Sequence, residues 1–158
     1  MSKKSKAAKR QPQEGAGDIV DLILEDHKPI WKLIKKMKSD DATVAQKRAA
    51  FKVFAPTLVA HAKPEEQTWY KRMKSKKGQK VEGLEGDIEH GLADKLCKEL
   101  KHTSDNDMFE AKVKVLAELV GHHLEEEEDM LPSFKKESKK EERLALGEVY
   151  FRLRKKYL

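Results

Sequence analysis

The sequence contains very little cysteine and few aromatic residues. Cys97 is the only cysteine among 158 residues, and aromatic side chains make up 6% of the chain. A single thiol excludes an intramolecular disulfide and any zinc site built from several thiolates. Because no disulfide has to be maintained, the reducing cytoplasm is the expected location.

Long apolar runs are also missing. No segment of the sequence approaches the roughly 20 consecutive apolar residues that a membrane-spanning helix needs. The basic N-terminal residues are not followed by the apolar stretch of a secretory signal. We therefore expect neither secretion nor a membrane partner.

Charge is abundant but unevenly distributed. The chain has 34 Lys or Arg residues and 28 Asp or Glu residues, a net charge of +6. The excess of bases lies at the two ends, whereas acids outnumber bases between residues 13 and 134. We predict a disordered basic tail at residues 1–12 and a single domain at residues 13–158. Because the body of the domain lacks a basic face, nucleic acid is not an expected partner.

The spacing of the apolar residues predicts an all-α protein. Glu, Lys, Leu and Ala dominate, and all four favour helices. Apolar positions recur at helical intervals and divide the chain into four long helices and a shorter fifth. Short connections then favour an up-down-up-down four-helix bundle with an additional short C-terminal helix. The predicted helices span residues 17–38, 43–74, 84–101, 107–130 and 141–156.

Prolines lie inside or at the end of several predicted helices. Pro29 falls within the first helix, Pro56 and Pro64 fall within the second, and Pro132 closes the fourth. A proline in a helix interior removes a backbone donor and costs about 3 kcal/mol. The second helix could therefore begin only after Pro56, and this alternative stays open.

Four of the six histidines continue the apolar stripes, one on each long helix. Two of them are followed by a glutamate at i+4, which lies on the same helix face. Because an unpartnered buried carboxylate is costly, two such glutamates in a bundle interior indicate bound cations. Imidazole and carboxylate without thiolate suit iron, manganese or zinc. The predicted metal ligands are His27, His61, Glu65, His90, His123 and Glu127.

Several neighbouring residues compete for roles at this site. His122 and Glu126 also stand at i+4, but His122 falls beside the apolar stripe of the fourth helix, so His123 is preferred. Glu66 and Glu128 could reach the site, although we expect them to be exposed or to contact the metal ligands from outside the site. A structural role in the core is expected for Cys97.

Four segments together resemble the hemerythrin-like HHE cation-binding domains. The segments are DHKPI around His27, HAKPEE from His61, EHGLADKL around His90 and HHLEEEEDMLP from His122. The resemblance covers residues 18–134 and implies a four-helix bundle that holds two non-haem iron ions, bridged by an oxo group or a carboxylate. It implies the same six ligands, with manganese or zinc as other possible metals. The implied partner is a small diatomic ligand or peroxide.

The chain differs from the oxygen-carrying hemerythrins at two ligand positions. They have a second histidine four residues after the first on the third helix, where this chain has Asp94. The aspartate on their fourth helix would fall on Glu128 rather than Glu127. Fewer histidines favour ferric iron over reversible oxygen carriage.

Three functions are compatible with the sequence. The first is a di-iron protein that binds or senses oxygen, nitric oxide or iron. The second is a di-iron enzyme that acts on peroxide or repairs iron–sulfur clusters. The third is a basic interaction module in which the metal is structural. The oligomeric state is left open.

Overall fold

The computed structural model describes residues 16–158, and every regular element in this range is an α-helix. The all-α prediction is confirmed, whereas the up-down-up-down order of the long helices stays a prediction. The predicted tail at residues 1–12 lies outside the described residues. The helices are α1 (Ile19–Lys38), α2 (Val44–Gln67), α3 (Trp69–Lys74), α4 (Lys80–Leu100), α5 (Asn106–Glu137) and α6 (Lys140–Lys155).

Side-chain caps fix where the long helices begin. Asp18 accepts a hydrogen bond from the backbone of α1, and Asp105 does the same for α5. Thr43 and Gln46 form a reciprocal capping box at the start of α2. Each cap satisfies backbone N–H groups that have no partner within the helix.

The prediction of one continuous second helix is wrong. The helix breaks at Thr68, which has φ −121° and ψ −86°, and the chain continues as the short helix α3. The hydroxyl group of Thr68 donates to the carbonyl oxygen of Pro64 at 2.7 Å. The alternative start after Pro56 is also wrong, because α2 begins at Val44 and contains both prolines.

The fourth predicted helix was too short. Helix α5 runs through Pro132 and ends at Glu137, seven residues beyond the predicted end. The extra turns bury Leu131 and Phe134 in the core. Burial of two such side chains contributes several kcal/mol, enough to offset a helix-interior proline at about 3 kcal/mol.

The core consists of two apolar clusters with the histidines between them. On α1, His27 lies between Ile23 of one cluster and Ile30 of the other. Helix α1 packs against α2, α5 and α6, while α4 packs against α3 and α5. The C-terminal helix α6 thus covers α1 and α2. Within residues 16–158, no helix combines the length and apolar character needed to cross a membrane.

Candidate metal centre

The six predicted ligands come together between the two apolar clusters, and all six are buried. They form two groups of four, and in each group one potential ligand atom from every residue lies within 4.8 Å of the others. The two glutamates belong to both groups, so each could bridge two ions. The first group consists of His27, His61, Glu65 and Glu127. The second group consists of Glu65, His90, His123 and Glu127.

Each of the four histidines is held from outside through its Nδ1 atom. In the metal-bound form, an imidazole with its proton on Nδ1 directs the lone pair of Nε2 at the opposite side, as metal-binding histidines commonly do. Three histidines donate directly to a glutamate: His27 to Glu128 and His90 to Glu66, both at 2.8 Å, and His123 to Glu89 at 2.5 Å.

The fourth histidine, His61, is held through a tyrosine of the C-terminal helix. Its Nδ1 donates to the hydroxyl oxygen of Tyr150 at 2.9 Å, and this hydroxyl donates to Asp26 at 2.5 Å. Arg154 pairs with the other oxygen of Asp26. Burial raises the pKa of Asp26, but the nearby His61 and the hydrogen bond from Tyr150 outweigh burial and hold it below its ordinary value. Helix α6 therefore takes part in shaping the site.

Glu65 lies in the centre and has no hydrogen-bond partner among residues 16–158. Both of its carboxylate oxygens are buried and unpaired, as is Nε2 of His61. Nε2 of His61 and Nε2 of His90 lie 3.2 and 3.3 Å from Glu65, but not in a direction that makes a hydrogen bond. An unpaired buried carboxylate costs several kcal/mol unless a cation compensates it. The donor set therefore fits bound metal ions.

Glu127, by contrast, accepts hydrogen bonds from His27 and Tyr70 and pairs with His123. Nε2 of His27 and Nε2 of His123 both lie 3.0 Å from its oxygens, and the hydroxyl group of Tyr70 donates to it. Burial raises the pKa of Glu127, but the charge and hydrogen bond of His123 outweigh it and hold that pKa well below its ordinary value. Burial likewise lowers the pKa of His123, but the charge of Glu127 dominates and raises it to about 9.

Tyr70 is a site residue that the sequence did not indicate. It has no exposed surface, and its hydroxyl oxygen lies 2.8 Å from Nε2 of His123 and 3.3 Å from Nε2 of His90. At about 100° per residue, an unbroken helix would point Tyr70 about 180° away from His61. The break at Thr68 turns Tyr70 into the centre instead.

Gly86 of α4 provides the space for the Tyr70 ring. A Cβ atom at this position would lie 2.5 Å from two ring carbons of Tyr70, a distance that forces one of them to move. The ring is also stacked on His90, with centroids 5.0 Å apart. The position of Tyr70 is therefore fixed by close packing.

We expect Gly86→Ala to lower the free energy of unfolding by about 1–3 kcal/mol, because it overpacks a buried ring. Gly91→Ala is the matched control, since Gly91 lies on the same helix and a Cβ atom there would meet no other atom within 4 Å. The control should gain up to about 1 kcal/mol from helix propensity. Urea denaturation measures both, and equal stability of the two variants would contradict this packing.

The rival histidine lies outside the centre. The side chain of His122 is 65% exposed and pairs with Glu126, and together with Glu89 they form a separate group of potential ligands nearer the surface. The sequence-based preference for His123 therefore agrees with the rotation of α5. We expect His123→Ala to remove most of the bound metal and His122→Ala to remove little, as measured by metal content per chain. Comparable losses would show that the surface group binds the metal.

Two other residues near the sequence motifs also lie away from the centre. Cys97 is part of the apolar core, and burial raises the pKa of its thiol to about 11. Asp94 pairs with Lys98 on the surface of α4. Among the described residues, Asp94 therefore belongs to neither group of potential ligands in the centre.

The comparisons with known proteins agree with this geometry. The family model of the hemerythrin HHE cation binding domain matches residues 18–134, a range that contains all six buried His and Glu residues of the centre. No curated protein and no solved structure matches the chain significantly. A family match over most of the chain, together with the buried cluster of histidines and glutamates, shows that the chain belongs to the hemerythrin HHE cation-binding domain family.

Proposed function

We propose that the protein binds two iron ions in the buried centre and uses them to bind or sense a small neutral ligand, such as dioxygen or nitric oxide. The observation that carries the proposal is Glu65, a buried carboxylate without a hydrogen-bond partner that belongs to both groups of potential ligands. One ion in each group would give both of its oxygens a cationic partner. His27, His61, His90 and His123 would complete the ligand set together with Glu127.

The chemistry of the donor atoms supports iron. Four imidazole nitrogens and two carboxylates face the centre, and the one thiol of the chain lies in the apolar core. Nitrogen and oxygen ligands of this kind suit iron, manganese or zinc and disfavour copper(I). Of these, iron is the metal whose redox chemistry would let the centre bind dioxygen.

One of the cavities beside the centre favours neutral ligands. A cavity of about 220 Å³ borders Tyr70, His123 and Glu127. Because carboxylates line it, the local potential repels anions, whereas neutral molecules enter without this penalty. The lining carboxylates are Glu82, Glu85, Glu89, Glu126 and Asp129.

The same cavity supports a second candidate, an enzyme that consumes peroxide. Hydrogen peroxide is neutral and about as small as dioxygen, so the charge of the cavity admits both. The two candidates differ in whether the ligand is released unchanged or consumed over many turnovers.

Anaerobic loading with iron(II), followed by iron analysis and optical titration, tests the proposal. We expect close to two irons per chain and a spectral change that saturates with dioxygen or nitric oxide. Azide should produce a much weaker response because it is an anion. Sustained consumption of peroxide would favour the enzyme, and one iron per chain or a strong preference for zinc would contradict the two-iron proposal.

A further inference from the structure

We propose that Tyr70 is a seventh ligand, binding one of the two metal ions through its phenolate oxygen. The inference rests on the proposed two-metal function and adds a residue that the six-ligand set does not contain. It makes the two ion positions chemically different from each other.

The Tyr70 hydroxyl oxygen lies as far from the neighbouring histidine nitrogens as two ligand atoms of one metal ion lie from each other. Ligand atoms at about 2.0–2.1 Å from a metal ion and at right angles to each other are about 3 Å apart. The Tyr70 oxygen lies 2.8 Å from Nε2 of His123 and 3.3 Å from Nε2 of His90, and it also contacts Glu127. All three belong to the same group of four. The Tyr70 oxygen therefore belongs with that group.

Close packing prevents Tyr70 from leaving when an ion enters. The side chain has no exposed surface and is stacked on His90, and Gly86 lies against its ring with no room to spare. An ion bound by His90 and His123 on the side that faces the Tyr70 oxygen would lie within bonding distance of that oxygen. Tyrosine oxygen is an established protein ligand of iron. The phenol proton would be released to solvent through the cavity that borders Tyr70.

Tyr150 provides an internal comparison. It is as deeply buried as Tyr70, but its hydroxyl group contacts Nδ1 of His61, the nitrogen that faces away from the centre. Tyr150 can orient His61 but cannot reach an ion bound at Nε2. The two tyrosines therefore have different roles despite equal burial.

A phenolate ligand has an electrostatic consequence. The ion held by His90 and His123 would have one more anionic ligand than the ion held by His27 and His61. An additional negative charge in contact with an ion stabilises its higher oxidation state. The ion beside Tyr70 should therefore be the more easily oxidised of the two.

Visible and resonance Raman spectra of the iron(III)-loaded full-length protein test this assignment. We expect two irons per chain and a phenolate-to-iron(III) charge-transfer band in the visible region. Excitation into this band should enhance tyrosine ring vibrations that shift when ring-deuterated tyrosine is incorporated. Tyr70→Phe should lose the band and keep the ring packing. Tyr150→Phe removes a group that orients His61 and can lower the iron content, but it should retain the band when the band is measured per bound iron.

The possible outcomes separate this inference from the proposed function. Two irons in the wild type without a phenolate band would overturn the role of Tyr70 and leave the two-iron proposal intact. Loss of the band per bound iron in Tyr150→Phe, or its survival in Tyr70→Phe, would also overturn it. Fewer than two irons in the wild type would overturn the proposed function and this inference with it. If Tyr70→Phe does not fold, the deuterium shift in the wild type and a band retained per bound iron in Tyr150→Phe support the assignment, since Tyr157 lies at the exposed C-terminal end.

Discussion

Glu65→Gln should abolish binding of a metal pair and yet make the metal-free protein more stable than the metal-free wild type. The carboxylate of Glu65 is fully buried and has no hydrogen-bond partner. Glutamine keeps the shape and removes the charge, so the metal-free variant should gain on the order of 1–3 kcal/mol. With metal, the order should reverse, because a hundredfold excess over the dissociation constant stabilises the wild type by about 2.7 kcal/mol for each of the two ions.

Glu66→Gln is the matched control for this substitution. Glu66 is the next residue along α2, is partly exposed, and contacts the outward nitrogen of His90. Its substitution should weaken metal binding only modestly and should not raise the stability of the metal-free protein. Thermal melting of the three proteins, each with and without metal, measures these effects. A metal-free Glu65→Gln protein that melts no higher than the wild type would show that the charge of Glu65 is already compensated.

Glu127→Gln should have the opposite effect on the metal-free protein. Glu127 accepts hydrogen bonds from His27 and Tyr70 and pairs with His123, so its charge is compensated within the protein. Removal of one member of such a buried pair costs about 3–5 kcal/mol. Metal binding should be lost as well, because Glu127 belongs to both groups of ligands.

Glu126→Gln is the control, since Glu126 precedes Glu127 on α5 and is exposed. Its unfolding free energy should stay within about 0.5 kcal/mol of the wild type, as for most surface substitutions. Equal stability of Glu127→Gln and Glu126→Gln in urea would contradict the buried pairing. A less stable Glu127→Gln and a more stable Glu65→Gln would show that the protein compensates the charge of Glu127 but not that of Glu65.

The destabilisation by Glu127→Gln should depend on pH. The pKa of His123 is raised to about 9, so its stabilising contribution is complete below about pH 6.5 and is lost as the pH rises through 9. The pKa of Glu127 is lowered, so its contribution is present above about pH 4.5 and is lost as the pH falls below that value. The difference between wild type and variant should therefore be largest between about pH 5 and 6.5.

The sequence predicted which His and Glu side chains face inward because these residues obey helix periodicity. His27 continues the stripe of α1, and His123 with Glu127 continues that of α5, so apolar spacing alone placed them in the interior. The same criterion separated His123 from its neighbour His122, which the structure places at the surface. Within one regular helix, the direction of a side chain follows from its number.

The residues that the sequence missed depend on features that periodicity does not contain. Tyr70 turns inward because α2 breaks at Thr68, and no apolar pattern marks that break. Tyr150 reaches His61 from a helix whose packing position could not be deduced from its own stripe. Glu89 supports His123 from another helix, so this contact depends on how α4 and α5 are rotated against each other.

An anomalous difference map from crystals of the iron-loaded protein, measured at the iron absorption edge, tests the central claim most directly. The two-metal centre predicts two peaks, one among His27, His61, Glu65 and Glu127 and the other among Glu65, His90, His123 and Glu127. A single peak in the interior, or a peak at the surface group formed by Glu89, His122 and Glu126, would contradict it.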